Sequence, residues 1–155
     1  TDGNRFRRGI YVVWRRSAPY PSFTNFDAPD RTSCVVKRSR TNTPMQALTL
    51  LNDQAYVEIA QHLAERIRRL PGLDDDRQRM VAAFQLVVAR RPTDRELDVL
   101  LDYYQSRLDY YRQNPGQSAE LLAGIEITDG QRPELAAWFF VANVLLNLDE
   151  TITKG

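Results

Sequence analysis

From Leu135 to Leu148 twelve of fourteen residues are apolar, and only Asn143 and Asn147 interrupt them. A helix that is apolar on every side has to be covered on every side. The run falls short of the roughly 20 apolar residues that span a bilayer. It therefore reads as the buried central helix of a bundle, beginning near Pro133, and no membrane span is expected. The chain upstream then has to supply amphipathic helices, each with one face free to pack on this rod.

Those helices carry start and stop signals. "TNTPMQ" marks the firmest boundary: Thr43 can cap, Pro44 suits the first helical position, and Gln46 stands where a capping-box partner should. Leu48, Leu51, Ala55, Ile59, Leu63 and Ile67 then recur every three or four residues, which predicts one long helix from Pro44 to about Leu70, stopped by Pro71–Gly72. The next spans about Asp75 to Ala89, with Met80, Phe84, Val87 and Val88 on one side. "RRPTDREL" restarts the pattern with Thr93 and Glu96 as a second capping box, and Leu97, Leu101, Tyr104, Leu108 and Tyr111 form a seam to about Gln113. A short helix around Ser118–Gly124 and a turn through "ITDGQRP" precede the last helix. The predicted fold is all-α, a helical bundle around a buried C-terminal helix with a long irregular N-terminal loop segment.

The first 42 residues differ in character. They hold nine Arg or Lys against three Asp, whereas residues 43–155 hold twelve against seventeen acids. Phe6, Ile10, Val13 and Trp14 fit one face of a helix over residues 5–16; Ile10, Val12 and Trp14 also alternate as in a strand, and the helix is the preferred reading. Pro19, Pro21 and Pro29 interrupt regular structure through residues 17–42. The basic segment either docks on the acidic helices of its own chain or meets an anionic partner. The expected organisation is a single helical domain, 1–155, with a basic helix-and-loop segment (1–42) and a helical core (43–155). The opening "TDGNRFRRG" lacks an initiator methionine and reads as a piece of a larger protein.

Composition limits the chemistry. Cys34 is the only cysteine and His62 the only histidine, so no internal disulfide, metal site or cofactor site is expected from this segment alone. Cys34 reads as a small buried residue and His62 as a polar helix-surface residue. Asn52, Asn143 and Asn147 lie in apolar helical stretches and should bond to loop backbone or to one another. Tyr104 and Tyr111 belong to the core seam, Tyr103 and Tyr110 to its flank. Arginines interleaved with aromatics in "RFRRGIYVVWRRSAPYPSF" superficially suit single-stranded nucleic acid. Phe6 and Trp14 share the apolar face, however, and the net charge is only +1, so nucleic acid is not an expected partner.

Two groups of residues are candidate sites. Asp27 and Asp30, flanking Ala28–Pro29, are weak catalytic candidates, since paired carboxylates can divide acid and base roles when their surroundings separate their pKa values. The same spacing fits a turn in which Asp27 accepts backbone N–H bonds. Arg15, Arg16, Arg31, Arg38 and Arg40 are the anion-binding candidates, helped by the helix N-terminus at Thr43–Gln46. Their competing role is internal, tying the loop to Asp53, Glu58 and Asp149.

The stretches "RRGIYVVWRR", "NFDAPDR", "RTNTPMQALTLLND", "RRPTDREL" and "ANVLLNLDE", with the cysteine between the second and third, resemble the C-terminal part of a planctomycete-specific domain family of unknown function. The resemblance runs from about Arg7 to Glu150. That family occurs in large exported proteins together with planctomycete c-type cytochrome domains. The resemblance implies a periplasmic or cell-surface setting, a larger parent, and haem c in a separate domain. It implies as partners the parent's other domains and a c-type cytochrome domain; an anionic polysaccharide is the further partner that the Arg-rich loop would take. The expected function is a non-catalytic structural or interaction module, with Phe6, Ile10 and Trp14 partly in the inter-domain contact. The alternative is a share in a composite redox or polysaccharide-processing enzyme site, or an anion- or glycan-binding module using the Arg-rich loop.

Overall fold

A computed structural model describes residues 9–15, 17–29, 31–37, 39–73 and 75–153. Phe6, Arg16, Asp30 and Arg38 lie outside the described residues. Among the described residues there are eight α-helices and no strand: α1 Pro21–Asn25, α2 Pro44–Asn52, α3 Gln54–Arg68, α4 Asp76–Val88, α5 Asp94–Gln113, α6 Pro115–Leu121, α7 Arg132–Leu146 and α8 Asp149–Ile152.

Helix α7 is the rod on which the rest is built. Leu135, Ala136, Ala137, Trp138, Phe139, Val141, Ala142, Asn143 and Leu145 are all buried, spread around the whole helix. Helices α3 and α5 cover most of it, with α4 and α6 closing the remaining sides. On α3 the buried stripe is Ala60, Ala64 and Ile67, and the two alanines leave room for close approach to α7. On α5 the stripe is Leu97, Leu100, Tyr104, Leu108 and Tyr111. Tyr104 lies 4.6 Å, ring to ring, from Trp138 at the centre of the core, and burial raises its pKa. Tyr111 stacks on Phe140. The all-α bundle around a buried C-terminal helix is what the sequence predicts.

Both capping boxes form. Thr43 Oγ1 accepts from the Gln46 N–H and the Gln46 side chain accepts from the Thr43 N–H; Thr93 and Glu96 do the same for α5. Between α2 and α3, however, the expected single helix is broken. Asp53 is extended (φ −71°, ψ 129°) and serves both helices, ending α2 and accepting the Ala55 N–H to start α3. The break resets the helical phase. Leu48 and Leu51, expected on the core face, are therefore exposed, while Gln46 and Leu50 are buried instead; on α3 Ile59 is exposed too, and Ala60, Ala64 and Ile67 form the buried stripe.

Other expectations shift as well. The helix expected over residues 5–16 is replaced, where described, by a single 3-10 turn, Gly9–Tyr11, with Ile10 and Val13 exposed. A lone first turn has no core surface to pack on and little intrinsic stability. The loop segment does contain a short helix, α1, because Pro21 sits at its first position, where no N–H is needed. The short helix expected at Ser118–Gly124 starts earlier, with Pro115 at its first turn.

Asn147 donates its side-chain amide to the Asn143 carbonyl and Thr151 its hydroxyl to the Leu145 carbonyl. Both carbonyls also accept a backbone N–H, from Asn147 and Leu148, so the side chains add a second bond to each at the end of α7. Asn52 likewise bonds within its own helix, to the Leu48 carbonyl, rather than to a loop.

Candidate functional site

The loop segment is held to the bundle around one buried amide. Gln46 is only 1% exposed. While its Oε1 completes the α2 cap, its Nε2 donates to the Asn25 carbonyl at 2.8 Å and to Thr41 Oγ1 at 3.1 Å. Every polar atom of this side chain is thus used, as a buried amide requires. A second bond runs beside it: Asn25 Nδ2 donates to Thr49 Oγ1, which itself donates to the Met45 carbonyl. Helix α1 is in this way bonded to α2 through two side chains of α2.

Asp27 closes the same clasp from the loop side. It follows α1 with φ 57°, in the left-handed region, and the Ala28 N–H reaches back to the Phe23 carbonyl at 2.8 Å, the hydrogen bond that commonly ends a helix there. Glycine or asparagine is the usual occupant of such a position. The aspartate has a further use: its Oδ2 accepts the Thr41 backbone N–H at 2.7 Å and the Thr41 hydroxyl at 2.8 Å. Asp27 does accept a backbone N–H, but across the loop from Thr41 rather than around Pro29. Downstream, Asn42 donates to Asp149 Oδ1 at 2.8 Å and ties the same strip of chain to α8.

An open cleft of about 590 Å³ lies beside this network, between Phe26–Asp27, the loop from Val36 to Thr41, and Thr151–Thr153. Lys37 and Arg40 line it, with Asp27 and Gln46. Of the other described candidates, Arg31 (φ 62°) places its guanidinium over the Trp14 ring at 4.9 Å, and Arg15 is exposed. Among the described arginine candidates Arg40 lines the cleft, and Lys37, which the sequence does not single out, lines it too. The expected internal role for these arginines is filled in part by neutral groups, for Asp53 caps α3 and Asp149 is met by Asn42.

Cys34, expected to be buried, is exposed on the loop. His62 is on the surface of α3, 3.6 Å from Glu65. No group of three or more potential metal ligands gathers among the described residues.

Arg90 is an anchor that sequence reasoning missed. It follows Ala89, whose left-handed φ of 64° ends α4. Its guanidinium forks onto Glu96 at 2.7 and 3.0 Å and onto Glu150 at 2.6 and 2.8 Å, and lies over the Phe84 ring. The Arg90 hydrogen bonds, with help from Thr93, hold the Glu96 carboxyl down at about 2, and the same guanidinium lowers Glu150. The motif "RRPTDREL" signals Glu96 as a cap; nothing local signals Glu150, which is 60 residues away.

A protein-family model matches residues 1–104: PSD1, protein of unknown function (DUF1553). The match includes the clasp residues Asn25 to Gln46 and stops before α7 and α8. No curated protein and no solved structure matches the chain.

Proposed function

The chain belongs to the PSD1 family, proteins of unknown function (DUF1553), and from that premise we propose that it is a non-catalytic helical module that packs against other parts of a larger exported planctomycete protein associated with c-type cytochrome domains. The observation that carries this is a bare apolar row on α2. Met45, Leu48 and Leu51 are 58%, 52% and 48% exposed, on a helix without a single charged residue. An uncharged apolar row at helical spacing suits burial against another protein surface. Asp27, the described catalytic candidate, is bound to Thr41, which supports a holding role over proton transfer. The periplasmic or cell-surface setting, the parent's other domains as partners, and haem c in a separate domain are parts of the same proposal and rest on the family resemblance.

A photo-crosslinking amino acid at Leu48, in protein expressed in its own cells, tests the reading. Crosslinks within the longer polypeptide or to a cytochrome-bearing protein are expected. A Leu48 probe that crosslinks to nothing removes the proposal.

A second reading has its own observation, the cleft lined by Lys37 and Arg40. Two cations beside hydroxyl groups suit a sulfated or uronic-acid glycan. A rise in Tm with such glycans, abolished by Arg40→Ala, is the expected result, and no shift with any of them rejects it. Participation in a composite redox or polysaccharide-processing site would require Asp27 to release Thr41.

A further inference from the structure

The loop between Asp27 and Thr41 is closed at its base and exposed at its tip. The two bonds from Thr41 to Asp27 join residues 14 apart in sequence. Loops of about 6–16 residues with their ends held together are frequently functional. Every residue from Arg31 to Lys37 is exposed; Val36 is fully so and Val35 about half. Beside the valines stand Arg31 and Lys37, which make no ion pair among the described residues.

The Arg31–Trp14 contact joins this loop to the segment from Gly9 to Arg15, which has the same composition. There Ile10 and Val13 are 78% and 82% exposed, Tyr11 is also exposed, and Arg15 is an exposed cation. Arg31–Lys37 and Gly9–Arg15 contain no carboxylate, although Asp30 directly precedes the first in the sequence.

We infer that this end of the molecule is a peripheral attachment surface for an anionic phospholipid bilayer, with Val35 and Val36 entering the headgroup layer and Arg31, Lys37 and Arg15 meeting lipid phosphates. Exposed aliphatic and aromatic side chains interleaved with cations that make no ion pair among the described residues match a surface that is anionic outside and apolar just beneath. A hydrated polyanion offers the valines nothing, and a neutral protein patch offers the cations nothing. The charge asymmetry of the chain reinforces the match. Residues 1–42 hold nine basic residues against three acids, with an acidic excess beyond; Arg15, Arg31 and Lys37 are the described part of that charge at this end, which the field of an anionic membrane turns towards it. Ile10 is thereby assigned to the lipid face and not to an inter-domain contact. The α2 row takes no part, so this inference and the proposed function fail separately.

The test is co-sedimentation of the protein with vesicles of equimolar phosphatidylglycerol and phosphatidylcholine, against vesicles of phosphatidylcholine alone. Binding to the anionic vesicles only, weakening as salt rises, is expected. Lys37→Ala should weaken it about fivefold, and Val35→Ser with Val36→Ser about tenfold, whereas Leu48→Ser should leave it unchanged. Cys34, the only cysteine and exposed within the loop, accepts an environment-sensitive fluorophore whose emission should shift to the blue on binding. Failure to bind anionic vesicles overturns the inference. So does binding that ignores the valine substitutions, or sedimentation without a shift of the Cys34 probe. The valines lie outside the core, and an unchanged circular dichroism spectrum and Tm will verify that their loss leaves the fold intact.

Discussion

Replacing Gln46 separates its two roles, cap and clasp. Gln46→Ala removes the acceptor for the Thr43 N–H and the donor to the Asn25 carbonyl and Thr41. An unmade cap costs about 1 kcal/mol, and leaving a half-buried carbonyl without its donor costs about 1–3 kcal/mol. Together these give about 3 kcal/mol, which for a chain of 155 residues lowers Tm by about 6–12 °C. Gln46→Glu is the sharper variant. Glutamate serves a capping box as well as glutamine does, and a negative charge in the first turn gains about 0.3–1 kcal/mol from the helix dipole. If Gln46 were an exposed residue serving only as a cap, this variant would match or exceed the wild-type Tm. In the clasp, however, it sets an oxygen against the Asn25 carbonyl, so we expect a fall of several degrees. Thermal unfolding followed by far-ultraviolet circular dichroism measures both variants. A Gln46→Glu protein as stable as wild type would refute the reasoning, because the amide nitrogen would then be holding nothing.

Three further outcomes are expected. Asp27→Ala loses both bonds to Thr41 and should cost about 2–4 kcal/mol in urea unfolding, whereas Asp27→Asn keeps an acceptor and tolerates the left-handed conformation, so it should lose less. Glu96 and Glu150 have folded pKa values below the ordinary 4.5, about 2 for Glu96, so their stabilisation is present above pH 4.5 and lost as pH falls towards 2. Acid titration of Tm should therefore be shallower for Arg90→Met than for wild type across that window, and parallel curves would remove the anchor. Ala64→Leu forces extra volume between α3 and α7 and should cost at least about 1–3 kcal/mol, visible as a lower urea midpoint.

How far the sequence speaks depends on how local the cause is. Caps such as Thr43–Gln46 and Thr93–Glu96 are legible because all their partners lie within three residues. The rod at Leu135–Leu148 is legible because no other arrangement buries it. The break at Asp53 is not, since aspartate inside a helical pattern costs little and the apolar spacing continues across it. Only the burial of Gln46 and Leu50 in place of Leu48 and Leu51 reveals the change of phase.

At the candidate site the pattern is the same. Asp27 stands out in the sequence, yet its partner Thr41 is invisible from local spacing, as is the Arg90–Glu150 contact. The emphasis on arginine follows from their number; the clasp itself is built from asparagine, threonine, glutamine and Asp27, whose roles depend on where the chain brings them.

Because α7 lies after α3, α4, α5 and α6, the helices that cover it, order of manufacture matters. While the ribosome is still adding residues beyond α5, at about 5–20 per second, the faces bearing Ala60, Phe84 and Tyr104 have emerged with nothing to lie against. The nascent chain must spend that interval as loosely associated amphipathic pieces, attractive to chaperones and proteases. A premature stop before Arg132 would then be no mere shortening, for it would leave the capped helices intact as sequence and deprive them of the one element that makes them a protein.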